Sequence, residues 1–501
     1  MEHLDKGNLV RSTLLRLSYP IRYEQCLPRL AKATLKIAVL FALILGTRSF
    51  TVAQLQHSQA NIQVSKPDLV RITIRARRPQ REWSFINSYG TTLGLGERVQ
   101  DFRSGDTDPV AIKKISSGVF QADRSVDAVT YEIHLAIDTT ANPAHVSWLT
   151  VQGGVLMMAD LLPVDVQTDG PIDVRFDLPD QWQLPDFMGP RKAFDSVIND
   201  PTNAVITVGP SIRSASKKVD GVQLDVALSG DWPFREAKLI EAATQVLRQY
   251  LKLTGFRLPK VRILLAPLPK QGSDTWQAQT RGSTVLLLIN PAANFKTWIG
   301  QLKVIFTHEL LHLWLPNSLS LKGDYDWFFE GFTLYQALVT AVDLKVISFD
   351  EYLDTLARVF DSYRSQPDTL SLIEASEQRW TGASSAVYDK AMLVAFLYDL
   401  LVRTESAGKT KLSDRYAGLF NIYASKTVDA NEAIMSVLGF SPATRELLKS
   451  YVGGHQTLRL DQTLGQYGFF LQPEGRLTDL KIANHPTTDQ IRLLRSLGYR
   501  R

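Results

Sequence analysis

Apolar and polar positions divide the chain into three stretches of different rhythm. From Pro67 to about Pro179 the rhythm is that of strands. Leu69 to Ile74 (LVRITI), Tyr131 to Ile137 (YEIHLAI), Val146 to Val151 and Ile172 to Leu178 (IDVRFDL) alternate or run apolar over strand length, with Gly and Pro between them. No helix of convincing length is predicted there, so this part is expected to be an all-β, sandwich-like domain. Residues 191–218 are a transition. Val222 to Leu228 then predicts a strand, and Phe234 to Leu253 (FREAKLIEAATQVLRQYLKL) an amphipathic helix that Gly255 stops. Val261 to Ala266 and Ser283 to Ile289 (STVLLLI) predict two more strands, and a second helix follows. Phe306, Leu310, Leu313 and Trp314 give that helix an apolar surface, and Pro316 ends it. Beyond Ala341 the period is helical, over Phe349 to Tyr363, Tyr388 to Thr404, Leu412 to Ala424, Ala430 to Leu438 and Ala443 to Val452. Asp429 and the pair Ser441-Pro442 are entry signals for the last two.

Composition narrows the class. The 501 residues suggest about three domains, and 45% hydrophobic with 21% charged residues allows a large core. A net charge of +5 is modest and spread along the chain. The run RARRPQR (Arg75 to Arg81) is a solvated strand end, and no interleaving of aromatic with basic residues points to a nucleic-acid partner. Cys26 is the one cysteine, which excludes an intramolecular disulfide and a thiolate metal site. Near the N-terminus, Ile37 to Gly46 (IAVLFALILG) is an apolar run preceded by Lys32 and Lys36, and Thr51-Val52-Ala53 resembles a signal-peptidase site. The run is short for a membrane span. Export to a periplasmic or extracellular space is expected, with cleavage near Ala53 favoured over retention as a membrane anchor; if cleaved, the mature chain lacks cysteine.

The chemistry lies in THELLHLWLPNSLSLKGDYDWFFEGFTLYQA (Thr307 to Ala337). His308 and His312 are four apart on a helix and so lie on one face, where both imidazoles reach one metal ion. Pro316 closes that helix, Asp324 and Asp326 precede the next, and Glu330 (WFFEGF) follows. His308, His312 and Glu330 make a three-residue ligand set for Zn2+ that keeps a fourth position for water. Glu309 is suited to take the proton from that water as general base. A second donor for the developing oxyanion is required, and Tyr388 (VYDKAMLVAFLYDLLVR) is the candidate. His134 and His145 read as structural or surface histidines. The strand before the zinc-motif helix is expected to line the cleft and to offer its edge to an extended peptide substrate.

These residues resemble the glycyl aminopeptidase family of gluzincins, relatives of the aminopeptidase N family. THELLHLW (Thr307 to Trp314) and WFFEGFTLY (Trp327 to Tyr335) are similar to its zinc motifs, and YDKAMLVAFLYDLLVRTESAGKTKLSD (Tyr388 to Asp414) to its "Y-x-K-G-x-L-x-x-x-L-D" helix. FDLPDQWQLP (Phe176 to Pro185), FDSVINDPTNAVITVG (Phe194 to Gly209) and YVGG (Tyr451 to Gly454) resemble the close of its β domain, its linker and the end of its catalytic part. The resemblance implies an α+β multidomain fold: a β domain over residues 54–215, a thermolysin-like α/β zinc domain over 216–345, and a helical domain over 346–455 that completes the catalytic unit. Residues 1–53 are the signal or anchor segment and 456–501 a C-terminal tail. It implies His308, His312 and Glu330 as zinc ligands, Glu309 as base and Tyr388 as transition-state donor.

Three departures accompany the resemblance. The family holds the substrate's free amine with a Glu before the zinc helix; in WQAQTRGST (Trp276 to Thr284) Gln279 stands there. A neutral amide forms no ion pair with an ammonium. Gln279 is thus the expected substrate-binding position, with exopeptidase or endopeptidase action left open. Ala391 stands where the family more often has Gly. About fifty residues follow Tyr451, too short a stretch for the PDZ domain many members carry. The function expected is a zinc-dependent peptidase in which Glu309 deprotonates a zinc-activated water. The alternatives are a catalytically inactive scaffold that binds peptides or proteins, and a zinc hydrolase of a non-peptide substrate. Oligomeric state is left open.

Overall fold

The structure, a computed structural model, describes residues 56–105, 108–137, 141–189, 196–269, 276–290 and 295–500. The expected signal or anchor segment and Cys26 lie outside these residues. Among the described residues no helix is long and apolar enough to cross a membrane.

The N-terminal part is mainly β, with short helices at Met158–Leu161 and Val164–Thr168. Seven strands form one sheet, in the order Ser196–Ile198, Ile172–Asp177, Ser58–Lys66, Leu69–Ser84, Val119–His134 and Val99–Ser104, with Ile112–Ser116 also paired to Val119–His134. A second sheet has three strands, in the order Val205–Val208, Gly153–Met157 and Trp148–Thr150. Side chains of a strand alternate between faces. Ile62, Ile72, Tyr131, Ile133 and Val174 of the large sheet therefore meet Leu149, Leu156, Ile206 and Val208 of the small one in one core. This is the predicted sandwich.

The small sheet is buried on its other face as well. Trp148, Val155, Met157 and Val205 pack on Ala227, Leu264, Ala266, Leu286 and Leu288 of the next sheet. That sheet has five strands, in the order Ile212–Val219, Val222–Ser229, Lys260–Pro267, Thr284–Ile289 and Trp276–Arg281. Its three middle strands are parallel and both outer ones antiparallel. The opposite face of the middle strands (Leu224, Val226, Val261, Ile263, Val285, Leu287) packs on helices. Burial on both faces explains why these three strands read as continuous apolar runs.

One expectation is corrected here. Thr284–Ile289 lies between two neighbours, so it has no edge to offer. The outer strand beside the helices is Trp276–Arg281, which pairs antiparallel with Thr284–Ile289. Gln279 is on it.

The helix Glu236–Thr254 ends at Gly255, which takes the left-handed conformation (φ 67°) that favours glycine. The helix Phe295–His312 follows the sheet, and helices Thr333–Asp343, Phe349–Arg364, Ala391–Glu405, Ser413–Tyr423, Ala430–Leu438 and Pro442–Tyr451 build the helical layer. Asp429 and Ser441 accept the backbone N–H of Glu432 and Thr444 and so cap the last two. Ala391–Glu405 runs through the middle of the layer with nearly every side chain buried, as expected of a helix apolar on all sides. Its one internal ion pair is fully bonded. Asp399 accepts from Arg403 Nε (2.8 Å), Tyr335 OH (2.9 Å) and the Leu412 N–H (2.7 Å). The residues after 456 form a hairpin, Phe469–Glu474 with Leu477–Ile482, and a helix, Thr488–Ser496; Phe469, Leu480 and Leu494 join the same core.

Candidate metal centre

The helix Phe295–His312 ends on His312, so both motif histidines sit in its last two turns. Four residues on a helix is just over one turn, which stacks them; their ring centroids are 4.2 Å apart. The tautomer of each ring follows from its outer nitrogen. His312 Nδ1 lies 2.8 Å from the Leu315 carbonyl, which can only accept, so Nδ1 carries the hydrogen. His308 Nδ1 faces Thr333 Oγ1 at 3.4 Å, and that hydroxyl already donates to the Phe329 carbonyl at 2.5 Å. Both Nε2 atoms therefore present lone pairs inward.

Glu330 completes the group. It is carried by a π-helical turn, Trp327–Phe332, which continues into the helix Thr333–Asp343. Single π-turns inside α-helices occur frequently at functional sites. Glu330 Oε2 lies 3.3 Å from His308 Nε2 and 3.4 Å from His312 Nε2, and the two Nε2 atoms are 2.9 Å apart. Three lone-pair atoms facing one another in a buried site repel unless a cation lies among them. A tetrahedral ion with bonds of about 2.0–2.1 Å holds its ligands about 3.3 Å apart, close to the spacing found. The residues fit such an ion.

The charges around these groups make the same demand for positive charge. Burial alone would lower the His312 imidazole, but the Glu330 carboxylate, then Glu309 and the Leu315 carbonyl, carry it up to about 9. Burial would raise Glu330, yet His312, His308 and Arg379 together hold its carboxyl well below the usual range.

Glu309 also has a carboxylate oxygen within 4.8 Å of both histidine donor atoms. Two carboxylates thus compete for the third ligand position, and geometry separates them. Glu330 Oε2 touches both Nε2 atoms, whereas Glu309 Oε2 accepts the Thr280 hydroxyl at 2.7 Å. Thr280 lies on the outer strand Trp276–Arg281, on the face turned to the helices.

Tyr388 reaches the group from a second π-helical turn, Ala386–Lys390, at the head of Ala391–Glu405. Its hydroxyl accepts from Arg379 Nη2 at 2.6 Å. Burial, and the charges of Glu330 and Glu309, raise the phenol; Arg379 offsets this only in part. The phenol therefore stays protonated and able to donate. The two π-turns touch at Gly331, where an added Cβ would lie 2.3 Å from Ala391 Cβ and 2.7 Å from the Val387 carbonyl. Ala391 is the residue that replaces the family's glycine. Gly331→Ala is expected to lower stability by about 1–3 kcal/mol, as overpacking does, with a parallel loss of activity. Denaturant midpoints check it; an unchanged midpoint would show that the turns separate freely.

Gln279 faces the β domain rather than the histidines. Its Nε2 lies 3.3 Å from Tyr89 OH. His145 is also at this wall: Arg281 Nη2 donates to its carbonyl at 3.0 Å, and its ring meets Tyr89 edge-on at 5.5 Å. Burial first, then the Arg281 and Arg379 charges, lower the His145 imidazole to about 4, so it is neutral at pH 7. His134 is exposed. The residues that sequence reasoning missed are Thr280, Arg379, Tyr89 and His145. Only Thr280 carried a signal, through its place beside Gln279.

The fold is similar to those of solved peptidase structures. An aminopeptidase N family protein from Idiomarina loihiensis superposes with a TM-score of 0.72 at 17% identity, covering 83% of this chain and 79% of that one. An M1 zinc metallopeptidase from Deinococcus radiodurans gives 0.53 at 14% identity, covering 81% and 95%. A mutant of the latter, bound to a Tyr-Ser-Ala substrate, gives 0.52 at 14% identity, covering 81% and 95%. At these identities the likeness establishes the fold: a β domain, an α/β domain and a helical domain as in the M1 zinc metallopeptidases. No protein-family model and no curated protein matches the sequence.

Proposed function

We propose that this chain is a zinc-dependent peptidase, with His308, His312 and Glu330 holding the ion. The observation that carries the reading is the meeting of His308 Nε2, His312 Nε2 and Glu330 Oε2 within 3.4 Å of one another, with a second carboxylate, Glu309, beside them. A zinc ion bound there supplies a polarised carbonyl and an acidified water. Glu309 takes the proton of the attacking water and returns it to the leaving amine. Thr280 holds one oxygen of that carboxylate and leaves the other to act. Tyr388 donates its hydroxyl hydrogen to the oxygen of the tetrahedral adduct. The outer strand Trp276–Arg281 lies along the same wall, and no further strand covers its outer edge among the described residues. An extended substrate backbone pairing with that edge would run past Thr280 towards Glu309.

The Tyr-Ser-Ala tripeptide bound by the Deinococcus radiodurans enzyme supports a peptide as the substrate class. Gln279, Tyr89 and His145 form the wall where the N-terminal side of the substrate is placed, and aminopeptidase action is the finer form of the proposal. The test is elemental analysis of the purified chain followed by a peptide-library assay before and after chelation. About one zinc per chain and cleavage that returns with added zinc are expected. Bound zinc without any cleavage would sink the peptidase reading and leave a peptide-binding scaffold.

A further inference from the structure

Arg379 lies on a short turn, Arg379–Thr381, between the helix Leu372–Glu377 and the π-turn of Tyr388. Nothing in its sequence neighbourhood marks it, yet its guanidinium reaches the centre of the site. Nη1 donates to Asp326 Oδ1 at 2.5 Å. Nη2 is shared between Glu330 Oε1 at 2.8 Å and Tyr388 OH at 2.6 Å. A guanidinium has donors only. Two consequences follow from this. Glu330 Oε1 is occupied, so the carboxylate turns only Oε2 to the histidines. The Tyr388 oxygen must accept, so its own hydrogen points elsewhere. One planar fork therefore settles both the oxygen Glu330 presents and the direction in which Tyr388 donates. A lysine cannot do this, since its ammonium is a point charge without the fork.

The anchoring is rigid. Asp326 immediately precedes the π-turn that carries Glu330. The guanidinium stacks on Trp380, 4.4 Å from its ring centroid, and lies 5.8 Å from that of Phe329. Trp380 is 52% exposed, so one side of the stack meets solvent.

Resting on the peptidase reading, the geometry points to Arg379 as the positioning residue of the hydrolysis: it fixes which oxygen Glu330 turns to the histidines and the side to which the Tyr388 hydroxyl donates. An ion pair with Asp326 that only stabilises the fold would leave both functions untouched. The test uses the full chain as wild type, Arg379→Ala and Arg379→Lys, loaded with zinc for kinetics and with cobalt for spectroscopy. In both variants kcat falls about 10–100-fold, as for other groups that orient metal ligands, with KM little changed. Guanidinium chloride at low concentration restores part of kcat in Arg379→Ala, while urea does not. The cobalt visible spectrum shifts in both variants as Glu330 is freed to turn. An unchanged spectrum overturns the proposal. So does a loss of kcat that follows a loss of thermal stability and that guanidinium fails to rescue. If the wild type binds cobalt and cleaves no peptide, the peptidase reading falls, and the spectrum still decides whether Arg379 sets Glu330.

Discussion

Glu309→Gln is expected to lower peptide hydrolysis about 10³-fold, within the range a general base contributes, while zinc content and melting midpoint stay unchanged. The amide has the size of the carboxylate and keeps a partner. Thr280 Oγ1 lies 2.7 Å from Glu309 Oε2 and 2.8 Å from the Glu309 carbonyl, and its single hydrogen serves either. What glutamine cannot do is accept a proton. The ligand atoms are on His308, His312 and Glu330, so the ion is held as before. Steady-state kinetics with metal analysis on the same sample checks this. Full zinc and undiminished cleavage would remove Glu309 from the chemistry. Lost zinc would show instead that Glu309 belongs to the ligand set, where its closeness to both histidines makes it the competing candidate.

Tyr388→Phe is expected to lower kcat by about 10²–10³-fold, the usual effect of removing one oxyanion donor, with a smaller change in KM. Only the hydroxyl is lost. Arg379 keeps its contacts to Glu330 and Asp326, so the ligand geometry and the fold should persist. A kcat within a few-fold of wild type would exclude Tyr388 as the donor. In the double variant with Glu309→Gln the losses should fall short of their product, because both groups act on the same step. Fully multiplicative losses would show that the two residues contribute independently of each other.

The parts of this molecule that were legible in the sequence are those whose physics is local. Two histidines one turn apart announce a shared ligand without knowledge of the fold. The strands Val222–Ser229, Lys260–Pro267 and Thr284–Ile289 are covered on both faces, and their composition says so. The two outer strands of the same sheet passed unnoticed as strands. Ile212–Val219 (IRSASKKV) and Trp276–Arg281 (WQAQTR) are half-covered edges, and such edges carry polar side chains. The alternation is present in the second: Trp276, Ala278 and Thr280 face the helices and Gln279 and Arg281 the β domain. It is too weakly apolar to stand out. That is also why the cleft edge was assigned to the wrong strand. Arg379 was illegible for another reason. Its partners Glu330 and Tyr388 come from two separate π-turns and Asp326 from the residue before the first, and a slipped hydrogen-bond register has no signature in composition. His145 and Tyr89 arrive from the opposite end of the chain and could be placed only by the packing of the sheets.

The three-stranded sheet between the two larger ones decides how this protein can be inherited. Its strands belong by sequence to the N-terminal half, yet one of its faces covers Ala227, Leu264, Ala266, Leu286 and Leu288. The β part is therefore no detachable module that recombination could exchange or discard. A gene fragment beginning at Ile212 would encode every group around the ion and still open a continuous apolar face to water, an invitation to self-association. Duplication, fusion or transplantation of this fold must carry both halves, because the boundary between them runs through a shared core.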